Sequence, residues 1–205
     1  MDREDRIKQA IEPFVPSGTE QVLAALIVQY RCHLTITRDR KSKAGDYRHP
    51  YRKIGHRISV NGSLNRYAFL ITLVHEMAHL VNWDRHKGKV SPHGKEWKLA
   101  FQELMQQFLT KKYFPADVLR ALQIHMKNPK SATVRDLDLM RILRSYDDRT
   151  ESVLLEDLAE GQEFLLGNRN FRKGQKLRKR YRCEQLGTGK VYLVSAIAEV
   201  VPSTY

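Results

Sequence analysis

The chain has 205 residues, enough for one sizeable core or for a main domain with a small appendage. Its 36 Lys and Arg outnumber 23 Asp and Glu, and the formal charge of +13 points toward a polyanionic partner or surface. Two widely separated cysteines, Cys32 and Cys183, exclude a disulfide framework and a four-thiolate metal site; no apolar run is long enough to span a membrane, and the charged start Met1 to Arg6 lacks a signal segment. A soluble cytoplasmic protein with no membrane partner is expected.

Asp5 to Phe14 has a short amphipathic helical pattern ended by Pro13 and Pro16. Ser17 to Thr19 can cap a second helix from Glu20 to Tyr30, with Val22, Leu23, Leu26 and Ile27 as its apolar stripe. The period then changes to two. Cys32 to Thr37 and Gly55 to Val60 read as half-buried strands, the second closed by Asn61-Gly62, and Arg38 to Lys53 between them reads as a polar, basic loop. Strands placed just before a metal-binding helix can offer an edge to an extended peptide, although the sequence does not say which strand is that edge.

A long apolar helix is expected from Leu64 or Asn65 to Trp83, interrupted by His75-Glu76-Met77-Ala78-His79. Residues four apart share a helix face, so His75 and His79 can direct two imidazoles at one cation while Glu76 handles the proton of a water at that cation. Such polar groups are costly on a buried helix unless something compensates them, and a metal ion would. Asn82 to Val90 is expected as a polar connection hinged at Gly88. Ser91 and Pro92 then have the form of a helix start, placing His93 in the first turn of a helix that runs to Lys112, with Trp97, Phe101, Leu104, Met105 and Phe108 on its core face. His93 is the preferred third ligand, because three neutral imidazoles plus water give the open four-coordinate site of catalytic zinc. His86, Glu96 and Glu103 are the alternatives.

Two further core-forming helices are expected, at Ala116 to Met126 and after Ser131, the latter with Leu137, Met140 and Leu143 inward. Asp147 to Thr150 reads as a boundary, giving domains 1–148 and 149–205. Beyond Leu158, glycines punctuate strand-like pieces at Glu163 to Leu166, Leu177 to Cys183, Lys190 to Val194 and Ile197 to Val201. Eight basic residues and no acid lie from Arg169 to Arg182: Arg169, Arg172, Lys173, Lys176, Arg178, Lys179, Arg180 and Arg182. Phe171 and Tyr181 are interleaved with them. Basic side chains neutralise phosphates and exposed rings stack on unpaired bases, so nucleic-acid contact through a β surface is one reading; a solvated charged face with inward rings is the other.

Taken together, these residues resemble the SprT-like family of zinc metallopeptidases, which includes the Spartan-type proteases that digest proteins crosslinked to DNA. The resemblance lies in Lys41-Ser42-Lys43-Ala44-Gly45, the strand and turn from Ile58 to Leu64, His75-Glu76-Met77-Ala78-His79, and Pro92-His93-Gly94-Lys95-Glu96-Trp97, spanning Glu20 to Leu122. It implies one zinc ion held by His75, His79 and His93, with Glu76 as catalytic base. The implied fold is α+β: a zincin-like core with a small antiparallel sheet and several helices, followed by a small C-terminal β unit. The implied function is a zinc-dependent endopeptidase acting on DNA-associated or DNA-crosslinked proteins through a Glu-activated water. The alternative is a DNA-associated regulatory protein with a structural zinc. Two departures stand out. Ala44 replaces the family's usual Trp, and Cys183 lacks the cysteine pairs of the zinc ribbon that ends many members. Tyr47, Tyr51 and His86 are the candidate donors to a developing oxyanion.

Overall fold

The computed structural model describes residues 1–38, 43–131, 136–147 and 152–203. Two compact units result, Met1–Asp147 and Asp148–Tyr205. Lys41 and Ser42 of the first motif, and residues 148–150 of the expected boundary, lie outside the described residues.

The first unit is α+β. Helix α1 (Arg3–Ile11) is capped by Asp2, whose carboxylate accepts from the Asp5 N–H at 2.8 Å. Pro13 removes an N–H, so the chain continues from Ile11 only as a 3-10 turn over Glu12–Phe14. Helix α2 (Glu20–Gln29) follows; Thr19 precedes it, but its hydroxyl donates back to the Pro16 carbonyl at 2.6 Å instead of capping the helix.

Strands β1 (His33–Thr37), β2 (Gly45–Arg48) and β3 (Arg57–Asn61) form a sheet in the order β1-β3-β2. The expected antiparallel sheet is in fact mixed: β1 runs parallel to β3, with His33 opposite Arg57, while β2 runs antiparallel to it, with Gly45 opposite Val60. Strand β2 falls inside the stretch expected as loop. Gly, Asp and Arg give it no apolar alternation, and its pairing with β3 and packing on the helix below supply the order that propensity does not.

Helix α3 (Arg66–His86) is the centre of the unit. Asn65 caps it, accepting from the Tyr67 and Ala68 N–H groups at 3.1 and 3.0 Å. Phe69, Leu70, Ile71, Leu73, Val74, Met77, Ala78 and Leu80 are fully buried around its circumference. Each of the larger ones contributes roughly 1.5–3 kcal/mol of transfer free energy. The helix continues one turn beyond Trp83 and ends where Lys87 turns left-handed at φ 50°, just before Gly88 at φ 77°. Helix α4 (Lys95–Gln106) starts later and ends earlier than expected; Ser91 to Gly94 is a turn closed by the Gly94 N–H on the Ser91 carbonyl at 3.0 Å, so His93 precedes the helix. Helices α5 (Ala116–Lys127) and α6 (Leu137–Arg144) complete the core, α6 through Leu139 and Leu143, with Leu137 and Met140 half-buried.

The second unit is a six-stranded sheet of β4 (Val153–Leu154), β5 (Glu163–Leu166), β6 (Arg169–Leu177), β7 (Arg180–Gln185), β8 (Val191–Ser195) and β9 (Glu199–Pro202), ordered β4-β9-β5-β6-β7-β8 and antiparallel throughout. The piece expected as one strand from Leu177 to Cys183 is a hairpin turning at Arg178, at φ 46°. A bulge between Lys173 and Lys176 brings the Arg182 carbonyl within 2.7 Å of where a Cβ on Gly174 would sit, which admits only glycine there. Phe164, Phe171, Leu155, Cys183, Ala196 and Val200 form the core.

Candidate metal centre

One turn of α3 separates His75 from His79, and their ring centroids lie 5.1 Å apart. The turn before α4 carries His93 back to them, 5.7 Å from the His75 ring and 4.6 Å from that of His79. One nitrogen from each ring can be chosen so that all three atoms lie within 4.8 Å of one another. Nitrogens at zinc–imidazole distance from a common ion sit at most ~4 Å apart, so small ring adjustments bring the set to coordination spacing. Trp97, in the first turn of α4 and fully buried, packs against all three rings at 4.7, 5.3 and 4.9 Å and fixes where they can turn.

Electrostatics suit the same role. Burial, and then the neighbouring His79, His93 and His125, lower the His75 pKa to about 3. Burial and His93 bring His79 to about 4, against a hydrogen bond to the Pro92 backbone. Both imidazoles are therefore neutral, with lone pairs available to a cation. The Pro92 contact also ties one edge of the His79 ring to the turn that presents His93. These three side chains are compatible with a bound metal ion. Of the other ligand candidates, Glu103 is ion-paired with Arg85 at 2.8 Å, Glu96 lies in the first turn of α4, and His86 is the last residue of α3.

Strand β2 lies along the site face of α3. A Cβ on Gly45 would stand 2.7 Å from Glu76 Oε1, 2.7 Å from Thr72 Cγ2 and 2.8 Å from Glu76 Cγ, so glycine is what lets the strand backbone close over the Glu76 carboxylate. Two residues on, Tyr47 stacks over His79 at 6.4 Å and 6°, and beyond the strand His49 stacks on Trp83 at 5.7 Å and 4°. The strand and the helix thus run in the same direction, with Gly45, Tyr47 and His49 above Glu76, His79 and Trp83. The Tyr47 hydroxyl is 2.9 Å from His56 Nδ1, and His56 meets Trp83 edge-on at 5.4 Å. Burial, reinforced by Cys32 and Asp84, pushes the Tyr47 phenol well above its ordinary value, so it keeps its proton. Tyr51 is 58 % exposed and pairs locally with Ile54. Gly45 is the site residue that the sequence pattern did not single out; its place in a motif was visible, but the close approach it serves was not.

The basic segment is divided by its strand period. Arg172, Arg180 and Arg182 lie on the solvent face of the second sheet, where Arg172 pairs with Glu163 at 2.8 Å. Lys173 is 4 % exposed, with Nζ donating to the Glu156 and Leu158 carbonyls and lying 4.1 Å from the Tyr181 ring centroid; burial lowers its pKa. Lys173 is thus unable to reach a phosphate. Arg169 covers the Phe171 and Tyr192 rings, Lys176 lies over Tyr181, and Arg178 and Lys179 form the exposed tip of the hairpin. Phe171 and Tyr181, at 1 % and 8 % exposure, pack inward and are not surfaces for stacking bases. Strict alternation through Arg180-Tyr181-Arg182-Cys183-Glu184 is the signal for this placement.

A sequence model of the SprT-like family matches residues 21–125, just over half of the chain, and the chain belongs to that family. Over 42 residues it is 48% identical to Protein SprT of Erwinia tasmaniensis, covering 20% of this chain and 24% of that protein. Protein SprT of Enterobacter sp. (strain 638) and of Cronobacter sakazakii give the same identity over 42 residues and 25% of their length. The chain thus spans about a quarter of the curated relatives it matches. No solved structure gives a significant match. No described helix is long and apolar enough to cross a membrane.

Proposed function

We propose that the first unit is a zincin-like, zinc-dependent endopeptidase of the cytoplasm, acting on proteins associated with or crosslinked to DNA. The observation that carries this reading is the convergence of His75, His79 and His93 beside Glu76, beneath an edge strand whose Gly45 leaves room for that carboxylate. His75, His79 and His93 would hold the zinc ion, which would supply Lewis acidity toward a carbonyl and toward water.

The remaining roles belong to the chain. The outer edge of β2 pairs with an extended substrate and lays the scissile peptide across the three imidazoles. Glu76 accepts the proton of the attacking water and delivers it to the leaving amine nitrogen. Tyr47, kept protonated by burial and accepting from His56 in the Nδ1–H tautomer, donates a hydrogen bond to the oxygen on which negative charge develops. Support for a DNA-linked substrate comes from the +13 charge and from the exposed Arg180, Arg182, Arg178 and Lys179 of the second unit, through contacts to phosphates alone.

The test is digestion of a DNA-binding protein by zinc-loaded enzyme, with and without DNA, beside the Glu76→Gln variant. Cleavage stimulated by DNA and abolished in the variant is expected. A metal-replete wild type that cuts nothing would leave the site as a structural zinc in a binding protein. Cleavage indifferent to DNA would make it a peptidase without a nucleic-acid role.

A further inference from the structure

A groove of about 330 Å³ opens beside His93, and no residue of β2 lines it. Its walls come from the first turns of α4 and the C-terminal end of α5, and they present Lys95, Lys98 and Lys127 together with Gln102 and Asn128. Two hydrogen bonds tie these walls: Lys98 Nζ donates to Asn128 Oδ1 at 2.7 Å, and Gln102 Nε2 to the Met126 carbonyl at 2.6 Å. The groove is therefore a built feature of the α4–α5 junction and not a crease between mobile side chains. Its lining holds no acid. Glu96, the acid of the first turn of α4, has Oε2 only 3.2 Å from where a Cβ on the lining residue Gly94 would sit, but it does not itself line the groove, and among the described residues neither Lys95 nor Lys127 is within ion-pair distance of a carboxylate.

We infer that this groove is a specificity subsite that takes a carboxylate side chain, Asp or Glu, of the polypeptide lying across the metal centre. The inference rests on the peptidase reading for what the occupant is, and on the lining for its charge. A cleft with walls of one sign concentrates the opposite charge, and ammonium groups on two facing elements can bracket a carboxylate that enters between them. His93 belongs both to the metal cluster and to the groove's rim, so a residue seated here is a near neighbour of the scissile bond. The apolar stems of the lysines and Leu99, 49 % exposed, suit the methylenes of a Glu side chain. The subsite would direct cleavage to acidic stretches of a substrate, and it uses no residue of the second unit.

The experiment compares two peptides that differ only in Glu or Gln, with that residue scanned on both sides of the scissile bond. Each is measured as kcat/KM with zinc-loaded wild type and as Kd, by fluorescence anisotropy of labelled peptide, with zinc-loaded Glu76→Gln. The same pair is then measured with Lys95→Glu/Lys127→Glu added to each background, and with Lys111→Glu/Lys112→Glu as a charge-matched control in the α4–α5 connection, at the opposite ends of both helices from the groove. A preference for Glu at one position is expected, falling roughly five- to thirtyfold in the groove variant and unchanged in the control. Thermal melting of both double variants checks that they fold. If no peptide is cut yet the Glu preference in Kd is present and lost in the groove variant, the subsite stands and the peptidase reading falls. An equal Glu-to-Gln ratio in wild type and groove variant overturns the subsite. So does a loss confined to binding of a single-stranded oligonucleotide, which would assign the lysines to phosphate.

Discussion

Gly45→Ala tests how the sheet governs the carboxylate. The added methyl would stand 2.7 Å from Glu76 Oε1 and from Thr72 Cγ2, whereas ordinary carbon contacts begin near 3.4 Å. About 0.7 Å of overlap has to be relieved. The Glu76 carboxylate can swing aside, but Thr72 is anchored on the helix, so β2 must also lift locally, and both shifts displace Glu76 from the strand that covers it. Displacing a catalytic group by ~1 Å costs on the order of 10²-fold in rate. Global stability changes by only about 1–3 kcal/mol, as for other overpacked sites. Turnover of a peptide substrate by zinc-loaded protein, zinc content by mass spectrometry and thermal melting read the three effects separately. The expected result is kcat down about a hundredfold with one zinc still bound and a folded protein. Wild-type turnover in a folded, zinc-loaded Gly45→Ala protein would refute the argument that the strand sets the position of Glu76.

His93→Ala removes one of three imidazoles while leaving α3 intact; zinc affinity measured by chelator competition should fall by several orders of magnitude, and an unchanged affinity would move the third ligand elsewhere. Tyr47→Phe should lower kcat by about 10²-fold or more with KM nearly unchanged if its hydroxyl serves the oxyanion, and an unaltered kcat would exclude it. Asp136 meets the buried His125 Nδ1 at 2.8 Å and Lys130 Nζ at 3.2 Å; Asp136→Ala should cost roughly 1–3 kcal/mol by urea titration at neutral pH. Burial pushes the Asp136 carboxyl up, but the hydrogen bonds from His125 and Lys130 outweigh it and hold the pKa below the ordinary 3.8. A depressed carboxylate pKa stabilises the fold fully above that ordinary value and loses its effect as pH falls through the folded one, so the stability gap between wild type and variant should narrow below about pH 3.8. A gap independent of pH would show that the pair acts by packing alone.

The pair of histidines on α3 was legible because helix periodicity makes a four-residue spacing a geometric statement. His93 was nameable as a candidate, but its setting was not: it sits in a turn closed by Gly94 on Ser91 and not in the first turn of a helix. Strand β2 was invisible because Gly45-Asp46-Tyr47-Arg48 carries no apolar alternation and owes its extended form to partners distant in sequence. The groove at the α4–α5 junction was equally hidden, since Lys98 and Lys127 become neighbours only when the helices pack. In the second unit the charge run was plain and inward packing of Phe171 and Tyr181 was one of its two readings; what the run concealed is that the same alternation also buries Lys173.

The three metal-binding candidates are unequally anchored. Two ride a helix wedged into apolar neighbours on nearly every side, and the third is delivered by a short turn outside any regular element. The apolar packing of this unit does not depend on an ion, and a cation bound by the three histidines would clasp the turn against a platform that already exists. Chelation would then silence the site while sparing the architecture, the reverse of small zinc modules whose ion is their keystone.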